Sequence, residues 1–447
     1  MRRLSHSDLS NYETVEFRTA VGDHGAADAL PFLLEDYTGL ATWAGKPIYD
    51  HDQVIGQLDT GWQISGNTIT FSFLTTPTTV GLYNNPLFRF DVSAGYTPMS
   101  AEEMAVARES IELWDDLIPQ TFVEKNGLGA DIIFANTTTG PEQARAYLPA
   151  GHGFKFYSDV WTADPTENWT NQWLDFNGYG RTTLVHEVGH TLGLNHPGDY
   201  DFSDDDNGDG KPDPITYGVD AFYAQDSLQY TIMSYFDPQF TGAQPLDVSV
   251  GLVQNAQTPL LHDILAIQAM YGVDLTTRVE DTVYFANSTA GNAVYDLEEN
   301  PFPYLSVYDA GGIDTFDFST ANSGVFIDLR PGSFSSATQG FETLEEANAA
   351  TEAFNAVTDE VQGDFALWTA DSYADWVELA QAIGEDRVFA DTQVDGVTAT
   401  SHRNISIAYN TIIENAIGGS ARDYLVVNHV SNRLEGNGGG VVLNCLG

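Results

Sequence analysis

One stretch constrains this chain more than any other: TTLVHEVGHTLGLNHPGDY, residues 182–200. Three of the ten histidines fall within eleven of its positions, and a glutamate follows the first. On a helix with 3.6 residues per turn, His186 and His190 lie one turn apart on one face, so both imidazoles can point at a single atom. Glu187 is rotated by about 100° from His186, which keeps its carboxylate close and leaves it free to handle water as a base. Gly193 can turn the chain out of the helix without a Cβ clash, and Pro197 prevents the helix from resuming. His196 can then swing back as a third ligand.

A lone histidine is more often a satisfied core or surface residue than a ligand. Five fixed identities at fixed spacing are different: a chance match in a chain of this length is on the order of one in 10⁵. The pattern therefore predicts a metal site. Imidazole ligands favour zinc over magnesium or calcium, and three of them leave the fourth tetrahedral position open for water. An open position implies catalysis.

His-Glu-x-x-His-x-x-Gly-x-x-His is similar to the motif of the metzincin zinc peptidases, and its continuation HPGDY resembles the serralysin branch. Metzincins carry a methionine turn beneath the zinc, and YTIMSYF offers Met233 for that role. By the same resemblance Tyr235, two residues on, would be a zinc ligand at rest and would swing to hydrogen-bond the oxyanion during turnover. QARAYLP, residues 143–149, falls where metzincins place the edge strand that pairs with extended substrate; an ordinary core strand is the alternative.

Charge narrows the partners. Seventeen basic against 64 acidic residues give a net charge of −47, which repels nucleic acid and anionic membrane surfaces. The same charge suits a protein that collects divalent cations or stays soluble in saline water. Cys445 is the single cysteine, so no intrachain disulfide can form. No apolar stretch approaches 18 residues and no hydrophobic run follows Arg2 and Arg3, which argues against membrane insertion and a Sec-type signal. The resemblance implies a type I exporter instead. The ending VVLNCLG lacks the family's apolar terminal signal, as in a truncated or altered C-terminus.

Alternation in NTITFSFLT and ADIIFAN predicts strands, and Ser100 with Glu103 forms a capping box ahead of a helix with Met104, Ala107, Ile111 and Trp114 on one face. LLHDILAIQAMYG predicts a helix that stops at Gly272 and resembles the last helix of the serralysin catalytic domain. Beyond it, short strand-like pieces alternate with glycine and aspartate turns, as in stacked β-structure. The final segment resembles the nonapeptide array that winds into a calcium-filled parallel β-roll, with Gly418, Gly419 and Asp423 in register. Ala421, Val441 and Cys445 depart from it, so a short roll with few well-made sites is expected.

The resemblance also implies calcium ligands. These are Arg278, Glu280 and Thr282 through carbonyls with Asp309, Gly311 and Asp314; Gly312, Asp314, Ile412 and Glu414 at a neighbouring site; and Gly419, Ala421 and Asp423 in the roll. Glu280 stands where the family usually has glycine. An acidic loop, residues 203–213, begins like an EF-hand with Asp205, Asn207 and Asp209, but Thr216 occupies the position of its bidentate glutamate. A calcium site and a merely solvated loop both fit it. An acidic, alanine-rich insertion at about 340–398 reads as two helices and splits the β-region.

The expected fold is α+β: an N-terminal segment over 1–34 that could include a pro-segment, a metzincin-like α/β catalytic domain over 35–275, and a mainly β, parallel β-roll or sandwich domain over 276–447 carrying the helical insertion. The expected protein is a secreted, extracellular, monomeric zinc endopeptidase acting on protein or peptide substrates. It would hold one catalytic zinc through His186, His190, His196 and Tyr235, several structural calcium ions, and Glu187 as general base. The rivals are a non-catalytic, calcium-dependent surface-binding protein on the same scaffold and a metal hydrolase of non-peptide substrates. An intact Glu187 argues against the first, since a structural zinc site needs no base.

Overall fold

The computed structural model describes residues 1–5, 33–39, 42–75, 93–127, 129–149, 158–200 and 213–444. Asp205, Asn207 and Asp209, and with them the predicted EF-like site, lie outside these residues, as does Cys445. Helices and strands are both well represented, in an α+β arrangement. No helix among the described residues is long and apolar enough to cross a membrane.

The N-terminal half is built on a twisted sheet. A short helix, α1 (His51–Leu58), is closed at its start by a capping box between Asp50 and Gln53. The alternating stretches then form β1 (Thr68–Phe73), the short β2 (Tyr96–Thr97), β3 (Thr121–Glu124), β4 (Ile132–Thr137), β5 (Ala144–Ala146) and β6 (Ser158–Ala163). Their order is β3-β1-β4-β6-β5, with β2 paired to β4. All pairs are parallel except β2 on β4 and β5 on β6. The segment 143–149 thus supplies an antiparallel strand at the end of the sheet, not a core strand.

Strands β4 and β6 are buried along their whole length, as expected for parallel strands covered on both faces. Ile132 and Phe134 face a core with Phe71, Val160, Ile111 and Trp114, whereas Ile133 and Ala135 face a smaller cluster with Leu74 and Trp161. Helix α2 (Ala101–Asp115) starts at the expected box, in which Ser100 N donates to Glu103 Oε2 at 2.6 Å and Glu103 N to Ser100 Oγ at 3.1 Å. Glu103 is also a buried fastener, since its Oε1 accepts from Asn136 Nδ2 at 2.8 Å and so ties the helix start to β4. Helix α3 (Tyr179–Thr191) packs on α2, where Trp114 Nε1 donates to the Val185 carbonyl at 3.0 Å. Helix α4 (Leu261–Tyr271) ends at Gly272, whose φ of 92° is the conformation a side chain disfavours.

The C-terminal half is a coil of short strands. One sheet joins β7 (Val283–Phe285), β9 (Thr315–Asp317), β13 (Asn415–Ile417) and β15 (Arg433–Glu435), all parallel. A second joins β10 (Phe326–Asp328), β14 (Asp423–Val426) and β16 (Val441–Asn444), also parallel. A third places β12 (Ile405–Ile407) between β8 (Leu305–Val307) and β11 (Phe334–Ser335). Asn415 pairs with Arg433 and Asp423 with Val441, a step of 18 residues in both sheets and hence two nonapeptides per turn. This is the short roll that the sequence predicts.

The insertion forms α5 (Leu344–Val357) and α6 (Ala370–Thr392), each started by a threonine capping box. It enters between adjacent turns of the roll without breaking their register, since Thr315 pairs with Asn415 and Phe326 with Tyr424 across it. Trp376, Tyr373 and Ala380 of α6 pack with Ala347 of α5 and with Leu246 and Val248. Phe354 of α5 stacks edge-on against Trp169 and Trp173, just ahead of α3. At the far end of α6, buried Asp391 accepts from Arg403 through both oxygens (2.6 and 3.0 Å) and lies 2.8 Å from His402 Nε2. Despite the burial of Asp391, Arg403 and then His402 hold its carboxyl well below the usual carboxylate range.

Glu342, at the start of the insertion, is in the opposite position. Burial, with Asp247 and Glu346 nearby, pushes its carboxyl up to about 7. A folded state that keeps a proton the unfolded chain releases loses stability as pH rises from about 4.5 to 7. Glu342→Gln should therefore raise the unfolding free energy at pH 8, by about 2 kcal/mol, and leave it nearly unchanged at pH 4.5. Denaturant titrations of both proteins at the two pH values would measure this; an equal effect at both would contradict it.

Candidate metal centre

Helix α3 and the turn after it bring His186, His190 and His196 together. Their ligand atoms all lie within 4.8 Å of one another, and among the described residues no other group of three or more His, Cys, Asp or Glu side chains could hold one ion in this way. His190 Nε2 and His196 Nε2 are 3.1 Å apart, close to the spacing that two imidazoles about 2.0–2.1 Å from one tetrahedral zinc would have.

The other nitrogen of each ring is held by the main chain. His186 Nδ1 bonds the Ile232 carbonyl at 2.7 Å, His190 Nδ1 the Leu194 carbonyl at 2.8 Å, and His196 Nδ1 the Tyr200 carbonyl at 3.1 Å. A carbonyl can only accept, so each Nδ1 carries the proton in a neutral ring and each Nε2 keeps its lone pair for a cation. His186 is further pushed down to about 3 by burial and by neighbouring His190, so it stays neutral across the physiological range. The donor set fits zinc.

The turn that returns His196 rests on Gly193, whose φ is 105° and where a Cβ would sit 1.9 Å from the Trp62 carbonyl oxygen. Gly189, between the two helical ligands, is needed for a different reason. A Cβ there would meet Met233 Sδ at 2.8 Å and Trp114 at 3.1 Å. The methionine turn therefore packs directly beneath the ligand face, with Met233 fully buried.

Two buried acids fix that turn. Asp263, in the first turn of α4, accepts from Thr231 Oγ1 at 2.5 Å, Ile232 N at 2.7 Å and Leu260 N at 2.7 Å. It thereby holds the residue whose carbonyl orients His186. Asp226 accepts from Tyr200 OH at 2.9 Å and Ser234 Oγ at 2.7 Å, joining the residue that orients His196 to the one before Tyr235. Burial pushes both carboxyls up to about 7, so these hydrogen bonds do not fully offset the loss of water. Neither acid is marked by the zinc motif. The available signal was an aspartate in the mainly apolar LLHDILAIQA and another ahead of the methionine turn.

Glu187 is buried on the same helix, 6% exposed, and the Tyr235 ring lies 4.4 Å from that of His196 and 6.3 Å from that of His186. Strand β5 is tied to the ligand helix through Gln143, whose Nε2 donates to Thr183 Oγ1 at 2.9 Å and to Asn171 Oδ1 at 2.6 Å.

The predicted calcium residues fall in two places. Asp314 N donates to Glu414 Oε2 at 2.8 Å and Asp314 Oδ1 accepts from Thr282 N at 2.8 Å, while its Oδ2 is buried with no hydrogen-bond partner. Burial, with Asp309, Glu414 and Asp281 close by, pushes the Asp314 carboxyl up to about 7. Gly312 lies against both Asp314 Oδ1 and the Glu280 carbonyl oxygen, and Asp309 Oδ1 accepts from Gly311 N at 2.9 Å. Arg278 points its guanidinium at Asp116 and the Tyr308 carbonyl, and Ile412 is partly exposed beside this group in sequence. Asp281, which bonds Ile313 N at 3.0 Å, was not anticipated. In the roll, Asp423 Oδ1 accepts from Val325 N and Gly419 N, at 3.1 and 3.2 Å, and its Oδ2 is buried with no hydrogen-bond partner. Ala421 lies with its carbonyl against Gly439 of the next turn. Orphaned carboxylate oxygens beside glycine-rich carbonyls suit a hard cation.

Comparison with known proteins agrees with this geometry. The family described as "Peptidase M10 serralysin C terminal" matches residues 273–359. Serralysin G of Dickeya chrysanthemi is 31% identical over 427 residues, covering 93% of this chain and 72% of that protein. Metallopeptidase AprA of Pseudomonas marginalis is 36% identical over 314 residues, 68% of this chain and 62% of its own length. Serralysin of Photorhabdus luminescens is 33% identical over 344 residues, 76% of this chain and 55% of its own.

If Asp263 orients His186 through Ile232, then Asp263→Ala should weaken zinc binding about tenfold or more, the usual effect of losing an outer partner of a ligand. Competition with a chromophoric chelator would measure it, and unchanged affinity in a folded variant would remove Asp263 from the site.

Proposed function

The chain belongs to the serralysin family of zinc metalloendopeptidases, and on that premise we propose that it is a secreted enzyme that hydrolyses internal peptide bonds of protein substrates. The observation that carries this reading is the convergence of three histidines, each fixed by a carbonyl behind its Nδ1, on the helix and turn that also carry buried Glu187. His186, His190 and His196 would hold the zinc, with Tyr235 as a further ligand at rest. Zinc bound there supplies Lewis acidity, which acidifies water and polarises a carbonyl.

The remaining steps belong to the chain's own groups. Glu187 accepts the proton of the attacking water and later delivers it to the leaving amine, so one carboxylate serves as base and then as acid. The Tyr235 hydroxyl donates to the oxygen of the scissile carbonyl as negative charge develops on it, an interaction stronger in the transition state than in the substrate. Strand β5 accepts the substrate in extended form through main-chain hydrogen bonds, which explains how one cleft could take many sequences. The calcium-type carboxylates complete their coordination outside the cell, and the cations offset part of the net charge of −47.

Two measurements test this. Glu187→Gln should keep one zinc per chain by elemental analysis and lose casein hydrolysis by roughly 10²–10⁴-fold. Zinc retained with activity undiminished would exclude Glu187 as the base. Calcium added to chelator-treated protein should raise its melting temperature, and Asp314→Asn should remove much of that gain. A calcium response identical in the variant would take Asp314 out of the calcium set.

A further inference from the structure

The helical insertion closes over the chain's own N-terminal residues. The Arg3 guanidinium lies 3.7 Å from the centroid of the Trp368 ring and 5.4 Å from that of Phe365. Its Nε donates to the Val250 carbonyl at 3.0 Å, and its two terminal nitrogens to the Ala366 carbonyl at 2.6 Å and Thr351 Oγ1 at 3.0 Å. Next to it Leu4 N donates to the Gly251 carbonyl at 3.0 Å, and the Leu4 side chain packs against the cluster of Leu246, Val248 and Trp376.

The pocket is built independently of this occupant. Trp368 is fixed from three sides: Nε1 donates to the Ser249 carbonyl at 2.7 Å, its N to Asn348 Oδ1 at 2.7 Å, and its carbonyl accepts from Asn348 Nδ2 at 3.1 Å. Thr351 is fully buried and anchored to the Ala347 carbonyl. A planar cation fits an aromatic floor with acceptors arranged around its edge, whereas a lysine ammonium could not reach all three acceptors from one position. General attraction to an acidic protein would need no such arrangement.

We propose that the insertion, together with Val250 and Gly251, is a peptide-binding site selective for an arginine followed by an apolar residue. Its ligand is this chain's own segment at Arg3 and Leu4, which it holds without need of covalent continuity. The contacts given above are all to residues 246–251 and 351–376, so cutting the chain downstream of Ser5 leaves the segment bound.

The test uses the full chain carrying Glu187→Gln to prevent self-cleavage, with Arg3→Ala and Leu4→Ala added to vacate the pocket. A fluorescein-labelled peptide spanning residues 2–7 is titrated in about 0.5 M NaCl, where general charge attraction is screened, and anisotropy is read. The vacated chain should bind it, and binding should weaken about tenfold or more when the peptide carries Arg3→Lys or is scrambled, or when the chain retains its own Arg3 and Leu4. Equal affinity for the native, lysine and scrambled peptides, or no binding to a vacated chain of native circular dichroism, would overturn the proposal. A second readout avoids vacating the pocket: trypsin cleavage after Arg3, followed by mass spectrometry, should be about tenfold faster in Thr351→Val than in its Glu187→Gln parent. Identical rates would overturn the proposal as well.

Discussion

Three hydrogen bonds from imidazole Nδ1 atoms to main-chain carbonyls decide what the centre of this protein can do. Each assigns a tautomer and an orientation to a ring, and so leaves three lone pairs aimed at one point. The carbonyls come from the methionine turn, the turn after the helix, and the segment after His196. Much of the surrounding structure serves to keep those three stretches of backbone in place. Asp263 fixes the first, Gly193 and the pairing of Leu194 with Asp59 fix the second, and Asp226 fixes the third through Tyr200.

Buried carboxylates recur throughout, and their surroundings separate them. Asp391 faces an arginine and a histidine and stays ionised, so α6 is clamped to the strand that follows it. Asp226 and Asp263 receive hydrogen bonds from neutral groups, which orient them without balancing their charge. Asp314 and Asp423 each keep one oxygen with no hydrogen-bond partner, as Asp226 also does, but their carboxyls lie against glycine turns at Gly312 and Gly418. In a chain with 17 basic residues against 64 acidic ones, few cationic side chains are available to pair with buried acids. Where none is, the carboxyl either keeps its proton, as at Glu342, or takes a bound cation.

Much of this was legible in the sequence, for identifiable reasons. The convergence of the three histidines is local: eleven residues on one helix and one turn encode it, and period and glycine position suffice. The capping box at Ser100 likewise reads directly, because cap and helix are adjacent. The antiparallel placement of β5 at the sheet's end was one of two open alternatives, since sheet order is set by distant partners that a single strand does not reveal. Asp226 and Asp263 escaped notice because their partners are brought near by folding and no fixed spacing announces them. The receptor for Arg3 was equally hidden: its acceptors lie 247 to 363 positions away along the chain.

The last parallel step of the roll spans 18 residues, whereas the one before it, from Thr315 to Asn415, spans 100, and the difference has a consequence for assembly. Thr315 meets Asn415 only after a loop of about a hundred residues has closed, and closure entropy grows with the logarithm of loop length. Two capped helices within that loop shorten the distance its ends must search, because they can condense from local contacts first. The last two coils, by contrast, follow one another directly and can wind on like thread onto a spool once a first parallel edge exists.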